Sequence, residues 1–311
     1  MLKSLLSETQ NPASLPDITN KAAAILRVGL GLVFVAGGWW KLSRAIDSTQ
    51  SGDFVARYMA DNGYINGFFA DYLFASRDAV LTPLSFLTML SAFELLCGIL
   101  LLAGLLVRPL SILYAFLLWT FVIALPVDVI GSAGPDEAGY FSPAILVQIR
   151  DIAMSGMFLT LIALGSGAYS LDRKLFGRGA HSERATWDDI GLVLRVSLAL
   201  TFLVAGFFAG YDHIKVWFDV PFLLAVVGIG LVAGHGTRIF AIIAGLIVVY
   251  YCFGKIDFGN APWDNFNAIK RELAFIASSA VLAIWGGGAH LKAINAIREP
   301  VAVLFGQKAN A

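Results

Sequence analysis

The sequence predicts an all-α integral membrane protein of eight transmembrane helices, arranged as two tandem four-helix bundle repeats. Three observations carry this prediction. Of 311 residues, 58% are hydrophobic and only 14% are Asp, Glu, Lys or Arg, whereas a soluble domain carries about 25% charged residues. The apolar residues fall in continuous blocks near the length of a membrane span, without the alternation of barrel strands. Finally, stretches of the second half echo stretches of the first in the same order. With 22 basic and 22 acidic residues there is no net field to steer a polyanion, which argues against nucleic acid as a partner. Cys97 and Cys252 both sit in apolar runs, so no disulfide framework is expected.

The polar stretch 1–21 contains Pro12 and Pro16 and lacks the apolar core of a cleavable signal peptide. Eight apolar segments follow, at 22–42, 83–106, 109–129, 147–170, 190–211, 218–235, 238–254 and 271–291. The sixth and seventh are short, and a re-entrant hairpin is the rival reading for that pair. An even number of spans puts both termini on one side. The loops of that side hold 11 Lys and Arg against 9 on the other, which places both termini in the cytoplasm of a multi-pass protein of the cell (inner) membrane.

The internal similarity organises the chain. LRVGLGLVFVAGG at 26–38 matches LRVSLALTFLVAG at 194–206, pairing Arg27 with Arg195 at an offset of 168. GLLVR at 104–108 matches GHGTR at 234–238, an offset of 130, and Arg150-Asp151 matches Arg271-Glu272, an offset of 121. An even-span unit repeated this way keeps its orientation, as parallel repeats do. The units are 22–170 and 190–291, joined by a cytoplasmic linker at 171–189 and followed by a cytoplasmic tail at 292–311. Residues 43–82, a 40-residue loop rich in Phe and Tyr, have no counterpart in the second half. Loops of this length are usually functional, and an outer-face cap with a short amphipathic helix around Phe54–Asn62 is expected, or else an interfacial anchor.

LRVGLGLVFVAGGWWKL at 26–42 and FLTMLSAFELLCGILLLAGLLVRP at 86–109 resemble the first two helices of the DoxX family, with its early Arg, Gly-x-x-x-Lys and mid-helix Glu. Within the family the resemblance is closest to the DoxD-like membrane subunit of thiosulfate:quinone oxidoreductase. It implies oxidation of thiosulfate or a related sulfur compound with electrons passed to quinone. The second half departs from the pattern: Leu224 stands where Glu94 would be and no Lys matches Lys41. If the family site uses those residues, the second half is scaffold or a partner surface.

Few residues can carry chemistry. Glu94 is the only formal charge between Pro83 and Leu106. A carboxylate at that depth costs about 2.5–3.5 kcal/mol on insertion scales, which makes Glu94 the candidate catalytic, proton-handling group. Its bland alternative is a protonated acid bonded to a neighbouring helix. Arg27 and Arg195 either snorkel to the interface or pair with carboxylates or carbonyls inside the bundle. Trp39, Trp40 and Lys41 at the end of the first helix, with Arg150 and Asp151 at the start of the fourth, would suit an oxyanion or the carbonyls of a quinone. Asp212, His213, Arg271 and Glu272 are the second-half candidates. An aromatic belt with ion pairs is the competing explanation. No His lies at membrane depth and the two Cys cannot hold a cluster, so no haem or metal site is expected and quinone is the electron acceptor. The leading expectation is thus the membrane subunit of a quinone-linked oxidoreductase. The alternatives are a non-catalytic anchor or assembly partner for an extracytoplasmic redox protein, docked on 43–82, and a small-molecule transporter. An oligomer is compatible with each.

Overall fold

A backbone crossing hydrocarbon must satisfy its own polar groups, and the helix does so within one segment. The computed structural model describes residues 15–60, 68–74, 81–124, 144–177, 185–207 and 221–290, together with Gly63 and Ile65. Every one of the eight apolar segments contains a helix. In chain order the described elements are α1 (Leu15–Ile46), α2 (Ser51–Met59), α3 (Phe68–Phe74), α4 (Pro83–Ala103), α5 (Val107–Ala124), α6 (Ala144–Leu164), α7 (Leu171–Phe176), α8 (Trp187–Phe207), α9 (Pro221–Ala233), α10 (Thr237–Lys255), α11 (Pro262–Ala268) and α12 (Lys270–Trp285). No strand occurs among the described residues.

The protein is a multi-pass membrane protein. Helices α1, α4, α5, α8 and α10 are long and apolar enough to cross a bilayer. Of the two segments expected to be short, the seventh (α10, 19 residues) is therefore of full length, while α9 has 13 residues. At 1.5 Å per residue α9 spans about 20 Å and α12 about 24 Å, against a hydrocarbon core of about 30 Å. The 21 residues of α6 carry Arg150 and Asp151 in its second turn.

Local chemistry sets the helix ends. Helix α1 starts at Leu15, before the expected position 22, and its first turns carry the exposed Asp17–Lys21 pair at 2.7 Å. Helix α4 opens on Thr82, whose Oγ1 accepts the Ser85 N–H at 3.2 Å while Ser85 Oγ accepts the Thr82 N–H at 2.9 Å, followed by Pro83 in the first turn. Thr82→Ala is expected to lower stability by about 1 kcal/mol, read as a drop in the melting temperature of the purified protein in detergent. The 43–82 loop is partly helical, with α2 close to the expected amphipathic segment and α3 an addition to it. Phe54 and Ile65 join Ala45 and Leu87 in a small apolar cluster that fastens the loop over the ends of α1 and α4.

Helix α1 packs on α4 and α12, and α8 packs on α9 and α6; α5 packs on α6 as α10 does on α12. The close approaches recur residue by residue. A Cβ on Gly38 would lie 2.5 Å from Leu95 N and one on Gly98 2.7 Å from Val35 N. Moved by 168 in α1 and 130 in α4, these become Gly206 against Ala225 N and Gly228 against Leu203 N, and both clash likewise. Between the halves, a Cβ on Gly29 would strike Ala277 and one on Gly156 would strike Ser197. These are matched positions with the glycine on the opposite helix. Helix contacts in lipid depend on such small residues, because apolar burial alone does not favour one helix neighbour over lipid.

Candidate functional site

At the end of the bundle covered by the 43–82 loop, charged side chains point inward. The ammonium of Lys41, in the penultimate turn of α1, is ion-paired with the carboxylate of Glu94, the twelfth residue of α4. Glu94 is buried at 3% exposure, and the Lys41 side chain is partly shielded at 13%. Beneath them Tyr114 packs against both Phe34 (3.8 Å between ring centres) and Phe158 (5.2 Å), which also touch each other at 5.8 Å, and its hydroxyl reaches the Glu94 carbonyl oxygen at 3.4 Å.

A second layer joins the halves. Arg271 Nε lies 3.5 Å from Asp151 Oδ1, and Arg150 Nη1 lies 3.5 Å from Glu272 Oε1. The two pairs are reciprocal: each cation and each acid of one half meets its counterpart from the other, as at a two-fold interface. Lys255 joins this layer, with Nζ 3.5 Å from Glu272 Oε1, 2.8 Å from the Ala268 carbonyl and 4.6 Å from the centre of the Tyr251 ring. Tyr251 OH also accepts from Arg150 Nη2 at 3.3 Å.

Between the layers lies a cavity of about 100 Å³. Val33, Phe34 and Leu118 are among its apolar walls, Tyr58, Ile65 and Phe86 line it from the loop side, and Lys41, Glu94, Asp151, Lys270 and Arg271 supply its charge. Three cations thus face two carboxylates. Lys41 is matched by Glu94 and Arg271 by Asp151. Lys270 Nζ donates to Asn267 Oδ1 at 2.5 Å and has no carboxylate within ion-pair distance among the described residues. A charge in a low-dielectric pocket needs a partner, so this lining is suited to a small anion. Among the described residues no three His, Cys, Asp or Glu side chains gather as a metal site would need.

The residues anticipated from sequence divide into groups. Lys41, Glu94, Asp151 and Arg271 converge on the cavity, and Arg150 and Glu272 lie immediately behind it. Trp40 stands beside it but serves the rim: its Nε1 donates to Asp264 Oδ1 at 2.8 Å, and Arg44 lies over its ring at 3.8 Å while pairing with the same carboxylate at 2.8 Å. Trp39 is 39% exposed, with Trp263 as its ring neighbour at 6.0 Å, and does not line the cavity. Asp212 and His213 lie outside the described residues.

Arg27 and Arg195 are not brought to this site. They lie towards the opposite end of the bundle, and neither snorkels: Arg27 is 4% exposed and Arg195 fully buried. Arg27 donates through Nη1 to the carbonyls of Leu101 (3.2 Å) and Leu102 (2.7 Å) and through Nη2 to that of Tyr169 (2.5 Å). Arg195 donates through Nη1 to Leu231 (3.0 Å) and Val232 (2.5 Å) and through Nη2 to the His290 carbonyl. The acceptors correspond at the same offsets of 130 and 121. Carbonyls of a last helical turn lack intrahelical donors and carry the negative end of the dipole. That is what makes a buried guanidinium tolerable there. Gly104 (φ +72°) and Gly234 (φ +77°) end the two helices and leave room for it.

Residues 22–126 match the DoxX family model. The match takes in α1, α4 and α5, about a third of the chain, and so includes Lys41, Glu94 and Tyr114. No curated protein and no solved structure matches the chain. Asp151, Lys270 and Arg271 lie beyond the DoxX segment. Sequence reasoning missed Lys270 and Lys255 as site residues. The available signal was adjacency: Lys270 precedes Arg271, and Lys255 ends an apolar helix.

Proposed function

We propose that this protein is the membrane subunit of a quinone-linked oxidoreductase that acts on a small sulfur oxyanion, thiosulfate or a relative of it. The observation that carries the reading is the cavity in which three cations face two carboxylates. The DoxX match of residues 22–126 supports it. In this reading the chain crosses the cell membrane eight times as two tandem four-helix units, with both termini in the cytoplasm. Recurrence of the arginine clamps and the glycine contacts at fixed offsets supports the duplication.

The Lys41–Glu94 pair is suited to hold and exchange a proton at the cavity wall, and Arg271, steadied by Asp151, orients the anion by charge-assisted hydrogen bonds. Tyr58 and Ile65 line the cavity from the loop side. A quinone taking up electrons from the sulfur compound also takes up protons. Its place in this reading is the lipid-facing surface beside Trp39 and Trp263, both partly exposed aromatics. An extracytoplasmic redox protein would be the further subunit.

The test is thiosulfate-dependent reduction of a short-chain quinone by the purified protein in lipid, with and without co-purifying partners. Glu94→Gln keeps the shape of the side chain and removes its charge. It is expected to lower turnover about a hundredfold or more, the scale of a lost acid–base group. Protein that binds no quinone, and whose turnover is unchanged by this substitution, would sink the proposal. The anchor reading has its own support in α3, where Tyr72 is 78% exposed. It requires that deletion of 43–82 release a co-purifying partner.

A further inference from the structure

We propose that Lys270, carried by the second half of the chain, is the residue that fixes a small divalent oxyanion in the cavity, so that the binding site is a joint product of both halves. This rests on the anion-binding reading of the cavity given above, and it assigns the second half a direct part in binding.

Three independent features converge on Lys270. The first is charge. Of the three cations on the cavity wall, Lys41 and Arg271 have carboxylates, whereas Lys270 has the neutral amide oxygen of Asn267. The second is placement. Lys270 and Arg271 occupy the first turn of α12, where the helix dipole is already positive, and Ile269 at its N-cap supplies no side-chain cap. Two cations there are mutually unfavourable, and an anion between them reverses the sign of the interaction. The third is shape. The stem of Lys270 lies along α1 at Gly37, where a Cβ would come within 3.2 Å of Lys270 Cδ, 3.4 Å of Cε and 3.5 Å of Nζ. A glycine on the first helix thus makes the trough through which a lysine of the last helix reaches the cavity. The volume of about 100 Å³ accommodates a compact oxyanion.

The experiment is calorimetric titration of the full-length protein in nanodiscs with sodium thiosulfate at constant ionic strength, with sodium chloride as the reference titrant. Saturable binding is expected for the wild type. Lys270→Met is expected to weaken it about tenfold or more, as loss of one charge-assisted hydrogen bond does. Gly37→Ala keeps every charge but crowds the lysine stem, and it is expected to weaken binding as well. It also decides the question if Lys270→Met fails to fold. Lys174→Met removes an exposed cation on α7 and is expected to bind as the wild type does. Wild-type binding that survives both Lys270→Met and Gly37→Ala unchanged overturns the role of Lys270 and leaves the anion cavity standing. Absence of saturable wild-type binding overturns both. Binding with these sensitivities, in a protein that reduces no quinone, upholds this inference and removes only the oxidoreductase reading.

Discussion

Glu94→Ala is expected to destabilise the protein by about 3–5 kcal/mol, because it strands the Lys41 ammonium in a buried site without its counter-ion. Both partners are well shielded, at 13% and 4% side-chain exposure, so solvent does little to screen the loss. The larger share of this cost belongs to the orphaned charge, which gives a sharp second expectation. The double variant Lys41→Met with Glu94→Leu removes both charges and keeps most of the volume, and it is expected to recover most of the stability. Its turnover should remain at the level of the single variant. Equilibrium unfolding in lipid, read beside turnover, separates the two outcomes. If the double variant regains activity as well as stability, the pair is a structural staple and the proton role of Glu94 is wrong.

Gly234→Ala is expected to cost about 3–5 kcal/mol by a different route. The residue sits at φ +77°, where a Cβ introduces strain of about 1–2 kcal/mol. That Cβ would also fall 2.7 Å from Arg195 Cζ, displacing the guanidinium from three carbonyls. A hydrogen bond to a charged group contributes about 1.5–3 kcal/mol. Arg195→Leu should therefore be nearly as damaging, and the double variant far less than the sum of the two, since both remove one arrangement. Gly104→Ala with Arg27 forms the matched experiment in the first half, and its loss should be of similar size. Melting temperatures in a fixed detergent, compared across the six variants, check this. Full additivity in either half would show that the glycine and the arginine act separately.

The sequence held more of the clamp than of its purpose. Arg27 and Arg195 stand out because a charge inside an apolar run is rare, and the offset of 168 links them. Their acceptors are main-chain carbonyls, which every residue possesses, so no side-chain signature announces them. Glu94 was legible for the same reason as the arginines, as a lone acid in a long apolar helix. Its partner lies 53 residues away across the inserted loop, at the end of α1. Lys41 was legible as the end of Gly-x-x-x-Lys, but nothing in the sequence pairs it with Glu94. Lys270 was harder still: beside Arg271 and Glu272 it looks like an ordinary charged helix start, and only the packing of α12 on α1 turns it towards the cavity.

The sequence by itself determined that this chain lives in a bilayer, which long apolar segments become helices, and that Glu94 stands alone in its apolar run. Those outcomes follow from hydropathy and helix length, both of which are local. The correspondence of the halves was also present in the sequence through its arginines, glycines and the Arg-Asp and Arg-Glu pairs. Only the tertiary structure decided that Arg150–Glu272 and Arg271–Asp151 cross between the halves, that the arginines at the far end hold helix termini, and that three cations share one cavity with two acids. Apolar burial brings helices into lipid without choosing their neighbours. That choice was made by the glycine contacts of α1 with α4 and α12, and it set which charges meet.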